Sequence, residues 1–384
     1  MEIQLAKPDI TQAEIDAVVA VMESGVLSIG PKVEEFEKRI ANYIGVKHAI
    51  AVNSGTSGLH LLIKALGIKK GDEVITTPFS FVASANCILF EGAKPVFVDI
   101  EPDTLNIDIE RIEDRINEKT KAILAVDVFG HPVDIQRIRA IAQIYGLAVV
   151  EDSCEALGSE YSGVKCGSRA DGAVFAFYPN KQITTGEGGI IVTNNDITAE
   201  YCRSCRSQGR AITGLWLLHE RLGYNYRLSE LHAALGVAQM QRIDEILDQR
   251  NAVAEMYNSK LKSIEGVRIP YIHPDVTRMS WFVYVIRLDP GIDRDTVMRY
   301  MLENGVGCRP YFTPIHLQPY FVDMFGYKQG DFPVAEQVAE STIALPFFNN
   351  LSEKQIEYTV AKLKEGINNA AAGKKVWRSY ENQY

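Results

Sequence analysis

The sequence predicts an α/β protein whose mostly parallel sheet carries helices on both faces. Short apolar runs alternate with amphipathic helical patterns through the first two-thirds of the chain, as is typical of parallel strands joined by crossover helices. The predicted strands are 49–52, 73–76, 95–99, 122–126, 147–150, 173–177 and 190–193. The predicted helices between them are 58–66, 80–90, 109–116, 134–145 and 198–207.

The last third of the chain has a different character and predicts a smaller α+β domain. A long helical stretch at 229–255 leads away from the predicted sheet. It is followed by a strand at 281–288 and by helices at 294–303 and 353–364. At 384 residues the chain also exceeds one typical domain, so we expect two or three.

Composition excludes several classes of protein. The formal net charge of −9 gives no general attraction to nucleic acid or to anionic membranes. No apolar run approaches the ~18 residues that cross a bilayer, and no basic segment followed by an apolar one marks a secretory signal. Six cysteines without framework spacing fit a reduced cytoplasmic enzyme, and the single pair Cys202 and Cys205 is poor evidence for a metal. We therefore expect a cytoplasmic protein with no metal, nucleic-acid or membrane partner.

The first predicted strand runs into the small-residue turn Asn53-Ser-Gly-Thr-Ser-Gly58, which precedes a predicted helix. Backbone N–H groups at the start of a helix form a site for a phosphate. The turn lacks the glycine spacing of a dinucleotide site and has no Walker lysine. Taken alone, the turn is better explained as a plain connection between strand and helix.

Two carboxylates follow the fifth predicted strand, in Val149-Val-Glu-Asp-Ser-Cys154. A buried parallel strand that ends in acids can deliver them to a site at the carboxyl end of the sheet. A carboxylate such as Asp152 can pair with a cationic ring nitrogen and keep it protonated. The alternative is that Asp152 caps a helix.

Lys181 lies between the last two predicted strands, in Tyr178-Pro-Asn-Lys-Gln-Ile-Thr-Thr-Gly-Glu-Gly-Gly189. An amine held at a strand end suits a nucleophile towards an aldehyde, although an isolated loop lysine is usually only solvated. A Schiff-base lysine and an aspartate paired with a pyridinium are the groups that pyridoxal phosphate requires. Phosphate turn, acid and amine in this order therefore indicate that cofactor.

The chain resembles the DegT–StrS family of pyridoxal-phosphate-dependent nucleotide-sugar aminotransferases. The resemblance extends from residue 3 to about residue 363 and includes motifs beyond the three segments above. These further motifs are Gly30-Pro-Lys-Val-Glu-Glu-Phe36, Pro95-Val-Phe-Val-Asp99, Leu222-Gly-Tyr-Asn-Tyr-Arg227 and Pro314-Ile-His-Leu-Gln-Pro319. The resemblance implies an aspartate-aminotransferase-like fold with a seven-stranded sheet that contains one antiparallel strand. It also implies a large cofactor domain at 14–245 and a small domain formed by 1–13 and 246–384.

The resemblance assigns roles around pyridoxal 5′-phosphate to individual residues. Lys181 would hold the cofactor and then carry a proton, while Asp152 would pair with its ring nitrogen. Gly55 and Thr56 would bind its phosphate. Phe81 would stack on its ring, although a core aromatic is the alternative.

Three further positions are assigned or questioned by the resemblance. Glu155 replaces the glutamine or histidine that many relatives place near the cofactor hydroxyl. Asn225 corresponds to an asparagine that reaches the phosphate from the neighbouring subunit, which implies a homodimer with shared active sites; a simple turn residue is the alternative. Ala176 stands where many members have a serine that contacts the phosphate, so one phosphate contact is missing or is supplied by another group.

In the small domain, Arg309 and His316 lie in the region that borders the active site in the family. Both are candidate contacts for the nucleotide-sugar, and a structural histidine is nearly as good an interpretation of His316.

The function implied is transfer of an amino group from L-glutamate to a nucleotide-linked keto-sugar for surface polysaccharide synthesis. The run Thr184-Thr-Gly-Glu-Gly-Gly189 resembles members that act at sugar carbon 4, which favours a 4-amino-4,6-dideoxy product. The alternatives are a 3-aminotransferase and a non-catalytic regulatory member. A 3-dehydratase is opposed by Lys181, because those relatives carry histidine there.

Overall fold

A computed structural model describes residues 1–211 and 217–371 of the chain. The α-helices are α1 (Gln12–Ser24), α2 (Pro31–Ile44), α3 (Gly55–Ala65), α4 (Ala83–Phe90), α5 (Ile135–Tyr145), α6 (Asp196–Arg206), α7 (Glu230–Gln241), α8 (Ile243–Leu261), α9 (Arg294–Glu303), α10 (Pro319–Phe325), α11 (Pro333–Ser341) and α12 (Glu353–Ala371). The strands are β1 (His48–Val52), β2 (Glu73–Thr76), β3 (Lys94–Phe97), β4 (Thr120–Val126), β5 (Ala148–Asp152), β6 (Glu160–Tyr161), β7 (Val164–Lys165), β8 (Gly172–Ala176), β9 (Gly189–Thr193), β10 (Val267–Arg268), β11 (Val276–Arg278), β12 (Tyr284–Leu288) and β13 (Thr342–Leu345). Within the described ranges, no helix is long and apolar enough to cross a membrane.

The main sheet has seven strands in the order β1–β9–β8–β5–β4–β2–β3. Strand β9 is antiparallel to both of its neighbours, whereas the other pairs in the sheet are parallel. All seven predicted strands are present, and the single antiparallel strand implied by the resemblance is confirmed. The apolar runs predicted them well because strands covered on both faces are apolar at nearly every position.

Four of the five helices predicted between the strands are present as α3, α4, α5 and α6. The prediction of a helix at 109–116 is wrong, because this segment forms two 3-10 turns, Ile109–Arg111 and Glu113–Arg115. Asp108 Oδ1 accepts from the N–H of Glu110, and the N–H of Ile112 donates to the carbonyl oxygen of Ile109. These tighter turns place Ile112 in the core although the segment has the apolar spacing of a helix.

The long helix predicted at 229–255 is two helices, α7 and α8, which meet at Arg242. The Arg242 guanidinium lies 2.9 Å from Asp9 Oδ2 and 3.1 Å from Glu14 Oε1, so the break is joined to the N-terminal segment. The sequence pattern could not show this break, because both helices bury an apolar face and the periodicity continues through it.

Helices α1 and α2, which were not predicted from the sequence, both pack against α7. Helix α2 buries Phe36, whose ring makes an edge contact with Phe177 at 5.2 Å. The end signals were available in the sequence: Thr11 and Glu14 form a capping box, and Pro31 opens α2.

A second core lies between the three-stranded sheet β10–β12–β13 and helices α8, α9 and α12. The N-terminal residue Ile3 is buried in this core with Tyr257 and Trp281, and it forms a parallel bridge with Val306. These contacts join the first residues to the C-terminal part of the chain. The division into 14–245 and 1–13 with 246–384 stays a proposal, and residues 372–384 of its small domain lie outside the described residues.

Candidate active site

The carboxyl ends of β4, β5 and β8 meet the start of α3 at a pocket of about 450 Å³. This is the edge of a parallel sheet at which ligands bind, and the volume suits a small cofactor. Six residues predicted to act on the cofactor line it: Gly55, Thr56, Phe81, Asp152, Glu155 and Lys181. The sheet topology therefore brings together the turn at 53–58, the segment with Asp152 and the segment with Lys181, whose proximity the sequence pattern alone could not show.

Lys181 lies in the turn between β8 and β9, and its side chain is only 13% exposed. Its Nζ lies 3.8 Å from the centre of the Phe282 ring and 3.5 Å from Glu155 Oε1. The ring and the carboxylate both stabilise a positive charge. Among the described residues that line the pocket, Lys181 carries the only side-chain amine.

Asp152 is the last residue of β5 and is 5% exposed. Its Oδ2 accepts a hydrogen bond from Ser84 Oγ at 2.7 Å, and its Oδ1 accepts from the N–H of Cys154 at 3.2 Å. The contact with Cys154 is the kind that a helix cap makes, but strand β6 is the next element described. Asp152 is therefore a carboxylate held at the floor of the pocket, and the capping alternative is wrong.

Glu155 is buried beside Lys181 and is anchored on two sides. Its Oε2 accepts from the N–H of Phe129 at 2.8 Å, and its backbone carbonyl accepts from Gln182 Nε2 at 2.6 Å. Burial raises the pKa of Glu155, and the charge of Lys181 acts in the opposite direction. Glu155 is thus a counter-charge for Lys181 whose strength depends on pH.

Glu155→Gln should change the pH dependence with which the apo-protein captures pyridoxal phosphate. At acid pH the parent carboxyl is protonated, so parent and variant should capture the cofactor at similar rates. As the pH rises through the raised pKa of Glu155, only the parent gains a negative charge, which pairs with Lys181 and repels the anionic phosphate of the incoming cofactor. The variant should therefore become the faster of the two above that pKa, as measured by stopped-flow absorbance.

Glu187→Gln is the matched control, because Glu187 lines the same pocket but is exposed. The rate of cofactor capture by Glu187→Gln, divided by that of the parent, should stay constant with pH. If the same ratio for Glu155→Gln is also independent of pH, Glu155 does not act as the counter-charge of Lys181.

The phosphate end of the pocket is the start of α3. Ser54 caps this helix by accepting from the N–H of Ser57, while the N–H groups of Gly55 and Thr56 have no acceptor in the described parts of the chain. Gly55 also allows close packing, because a Cβ there would lie 2.8 Å from Ala176 Cβ and 2.9 Å from Cys154 Sγ. Two free donors at a helix start form a suitable phosphate cradle.

Gly55→Ala should weaken binding of pyridoxal phosphate about tenfold or more, because the new methyl group displaces the cradle or its neighbours. Isothermal titration with the cofactor measures this change. Adding Ala176→Gly removes one of the two close contacts and should restore part of the affinity. Unchanged affinity in Gly55→Ala would show that the cradle does not hold the phosphate.

Three aromatic residues of the C-terminal part also line the pocket, and the sequence analysis did not identify them: Phe282, Tyr311 and Phe312. Burial raises the pKa of Tyr311 to about 12, so its hydroxyl remains a hydrogen-bond donor at neutral pH. No local signal marks these residues, because they reach the pocket only where segments of the C-terminal part pack into the hydrophobic core of the main sheet.

His316 does not reach the pocket. Its ring is completely buried, Nε2 lies 2.9 Å from Glu336 Oε1, and Phe332 packs edge-on at 4.7 Å. The expectation that His316 contacts the nucleotide-sugar is therefore wrong in this geometry, and the structural interpretation fits it.

Asn225 and Arg309 are both exposed, and neither lines the pocket of its own chain. The backbone carbonyl of Asn225 accepts from Asn53 Nδ2 at 3.4 Å, which leaves the Asn225 side chain at the surface. Arg309 Nη1 donates to the carbonyl oxygen of Cys308 at 3.0 Å. Their roles towards the partner subunit and the substrate stay predictions.

The DegT/DnrJ/EryC1/StrS aminotransferase family matches residues 8–364. GDP-perosamine synthase from Caulobacter vibrioides is 39% identical over 367 residues, which cover 94% of this chain and 98% of that protein. PseC from Helicobacter pylori, an aminotransferase involved in the biosynthesis of pseudoaminic acid, has a TM-score of 0.91 and 30% identity, covering 96% and 100% of the two chains. A putative sugar aminotransferase from Streptococcus pneumoniae, solved in its PLP form, has a TM-score of 0.91 and 27% identity with the same coverage.

Proposed function

Because this chain belongs to the DegT/DnrJ/EryC1/StrS aminotransferase family, we propose that it moves an amino group from L-glutamate to a nucleotide-linked 4-keto-6-deoxy sugar. The family membership itself establishes that the chain is a pyridoxal-phosphate-dependent sugar aminotransferase of polysaccharide or nucleotide-sugar biosynthesis. The observation that carries the chemistry is the meeting of Lys181, Asp152 and the start of α3 in one pocket. A cytoplasmic location and a homodimer belong to the proposal.

The residues present fit pyridoxal phosphate. Asp152 would hold its ring nitrogen, the free N–H groups of Gly55 and Thr56 its phosphate, Phe81 one face of its ring, and Lys181 would tether it. When bound, the cofactor supplies an electron sink for the carbon that gains or loses the amino group. Lys181 Nζ would move a proton to and from that carbon, because it is the only side-chain amine among the described residues that line the pocket.

Carbon 4 is supported by the run Thr184–Gly189, which follows Lys181 and resembles members that act at this position. The similarity to GDP-perosamine synthase adds GDP-linked sugars to the candidate substrates. The experiment is to incubate the protein and Lys181→Ala with L-glutamate and a panel of GDP-, UDP- and dTDP-linked 4-keto and 3-keto sugars. We expect a 4-amino sugar from the parent only, identified by NMR. A 3-amino product would establish the 3-aminotransferase, and no product together with no cofactor absorbance would favour a regulatory member.

The charge of the pocket supports a site shared between two subunits. Lys181 is the only cation among the described lining residues, whereas Asp152, Glu155 and Glu187 are carboxylates. The cofactor phosphate and the diphosphate of a nucleotide-sugar carry several negative charges, whereas the described lining residues of one chain include a single cation, so we expect further donors from the partner subunit. The exposed side chains of Asn225 and Arg309 are available to supply donors, with Asn225 acting on the partner's cofactor.

The shared site predicts complementation between two inactive variants. A heterodimer of Lys181→Ala and Asn225→Ala chains has both lesions in one site, so its other site is intact. At a cofactor concentration at which each variant alone is inactive, mixing should restore up to about half of the parent activity per heterodimer. Differently tagged chains confirm that subunits exchange. Confirmed heterodimers without activity would place Asn225 in its own subunit's site or show that sites are not shared.

A further inference from the structure

Asp127 is completely buried, and it forms hydrogen bonds with Asp152, the last residue of β5, and with Ser153, which follows it. Its backbone N–H donates to the carbonyl oxygen of Asp152 at 3.1 Å. Its Oδ2 accepts from Ser153 Oγ at 2.7 Å, and its Oδ1 accepts from the N–H of Val133 at 2.9 Å. One residue thus fixes Asp152 and Ser153 together and ties both to the loop after β4.

Glu151 and Cys166 complete a buried group around Asp127, with one polar atom of each residue within 4.8 Å of the others. Glu151 precedes Asp152 on the strand, so its side chain points to the opposite face, away from the pocket. Burial and the charge of Asp127 raise the pKa of Glu151 well above its usual range, whereas burial raises the pKa of Asp127 to about 6. Glu151 therefore holds the proton, and Asp127 remains the charged acceptor at neutral pH.

We propose that Asp127 is a positioning residue that aims the Asp152 carboxylate at the ring nitrogen of pyridoxal phosphate. Ser84 holds the same carboxylate directly, through Oδ2, whereas the Asp127 side chain acts through Ser153, the residue that follows Asp152. A charge-assisted hydrogen bond to a ring nitrogen depends steeply on distance and angle, so a small shift of residues 152 and 153 weakens it. This inference rests on the proposed role of Asp152.

The test compares the affinities of the apo-protein for pyridoxal phosphate and for its 1-deaza analogue, in which a C–H group replaces the ring nitrogen. Only the natural cofactor can pair with Asp152, so the parent should prefer it by about tenfold to a hundredfold. The same comparison in Asp152→Asn shows how much of this preference is due to the Asp152 carboxylate. Asp127→Asn and the milder Ser153→Ala should each narrow the preference several-fold, which about 1 kcal/mol of lost contact would produce.

Asp99→Asn is the matched control for the general effect of removing a buried carboxylate. Asp99 is also buried, and it accepts from the N–H groups of Val334 and Ala335. The Asp99→Asn variant should have a lowered unfolding temperature, like Asp127→Asn, but should keep the parent's preference for the natural cofactor. If Asp127→Asn does not fold, Ser153→Ala alone decides the question.

The outcomes separate this inference from the function on which it rests. A narrowed preference in Asp152→Asn, Asp127→Asn and Ser153→Ala, but not in Asp99→Asn, supports the positioning role. A parent-like preference in both Asp127→Asn and Ser153→Ala, with a narrowed one in Asp152→Asn, overturns it and leaves the function intact. If Asp152→Asn keeps the preference, the role of Asp152 fails and the inference with it. A stoichiometric divalent metal ion, found in the parent by mass spectrometry and lost in Asp127→Asn, also overturns it.

Discussion

Lys181→Ala is expected to lower the rate of amino transfer by at least about a thousandfold, because one group both tethers the cofactor and moves the proton. No other amine is available among the described residues that line the pocket. The visible absorbance that arises when pyridoxal phosphate is bonded to a lysine should disappear. The unfolding temperature should change little, since the Lys181 ammonium has one ion-pair partner among the described residues, Glu155, beside the Phe282 ring.

Lys181→Arg is the matched control for charge. Arginine keeps a cation beside Glu155 and over the Phe282 ring, but its guanidinium stays protonated and cannot act as the amine. It should therefore retain the fold and be as inactive as Lys181→Ala. Turnover is measured with L-glutamate and the keto-sugar that the panel identifies. Parent-like activity in either variant would contradict the whole assignment of the site.

The parts of the site that could be predicted from sequence are those at strand ends. Asp152 and Lys181 each follow a run that is apolar at nearly every position, and such a run between predicted helices is typical of a strand covered on both faces. Parallel strands place their carboxyl ends at one edge of a sheet, and the structure adds that the strands before these two residues, β5 and β8, are neighbours. The position of Gly55 at a helix start followed from the small-residue turn in the same way.

The parts that could not be predicted depend on packing between distant segments. Phe282 and Tyr311 reach the pocket because their segments pack into the hydrophobic core of the main sheet, and no periodicity within either segment indicates that packing. His316 lies in a motif of the family, yet its surroundings are the buried rings and the Glu336 carboxylate that remove it from the pocket. The pair Glu151 and Asp152 was interpreted as two acids at the site. The alternation of side chains along β5 separates them, so only Asp152 lines the pocket.

Asp152→Asn is the second prediction with a large expected effect. The amide keeps the size of the side chain, but it no longer provides the negative charge that keeps the ring nitrogen of the cofactor protonated. The electron sink is weakened as a result, and the steps that place charge on the reacting carbon should slow by about a hundredfold or more. The visible absorbance from the bond with Lys181 should persist, unlike in Lys181→Ala, because that bond does not require Asp152.

Ser84→Ala provides the matched comparison, because Ser84 Oγ donates to Asp152 Oδ2 at 2.7 Å and its loss leaves the carboxylate in place. The loss of one hydrogen bond should slow the reaction only about tenfold. Single-turnover measurements with L-glutamate isolate the first half-reaction and show whether the slowed step is the one at the carbon. If Asp152→Asn is as fast as the parent, the charge must come from the other acid buried in this pocket, Glu155. The double variant Asp152→Asn with Glu155→Gln would then be the inactive one, and the 3.5 Å contact between Glu155 and Lys181 would have to open so that Glu155 could reach the ring.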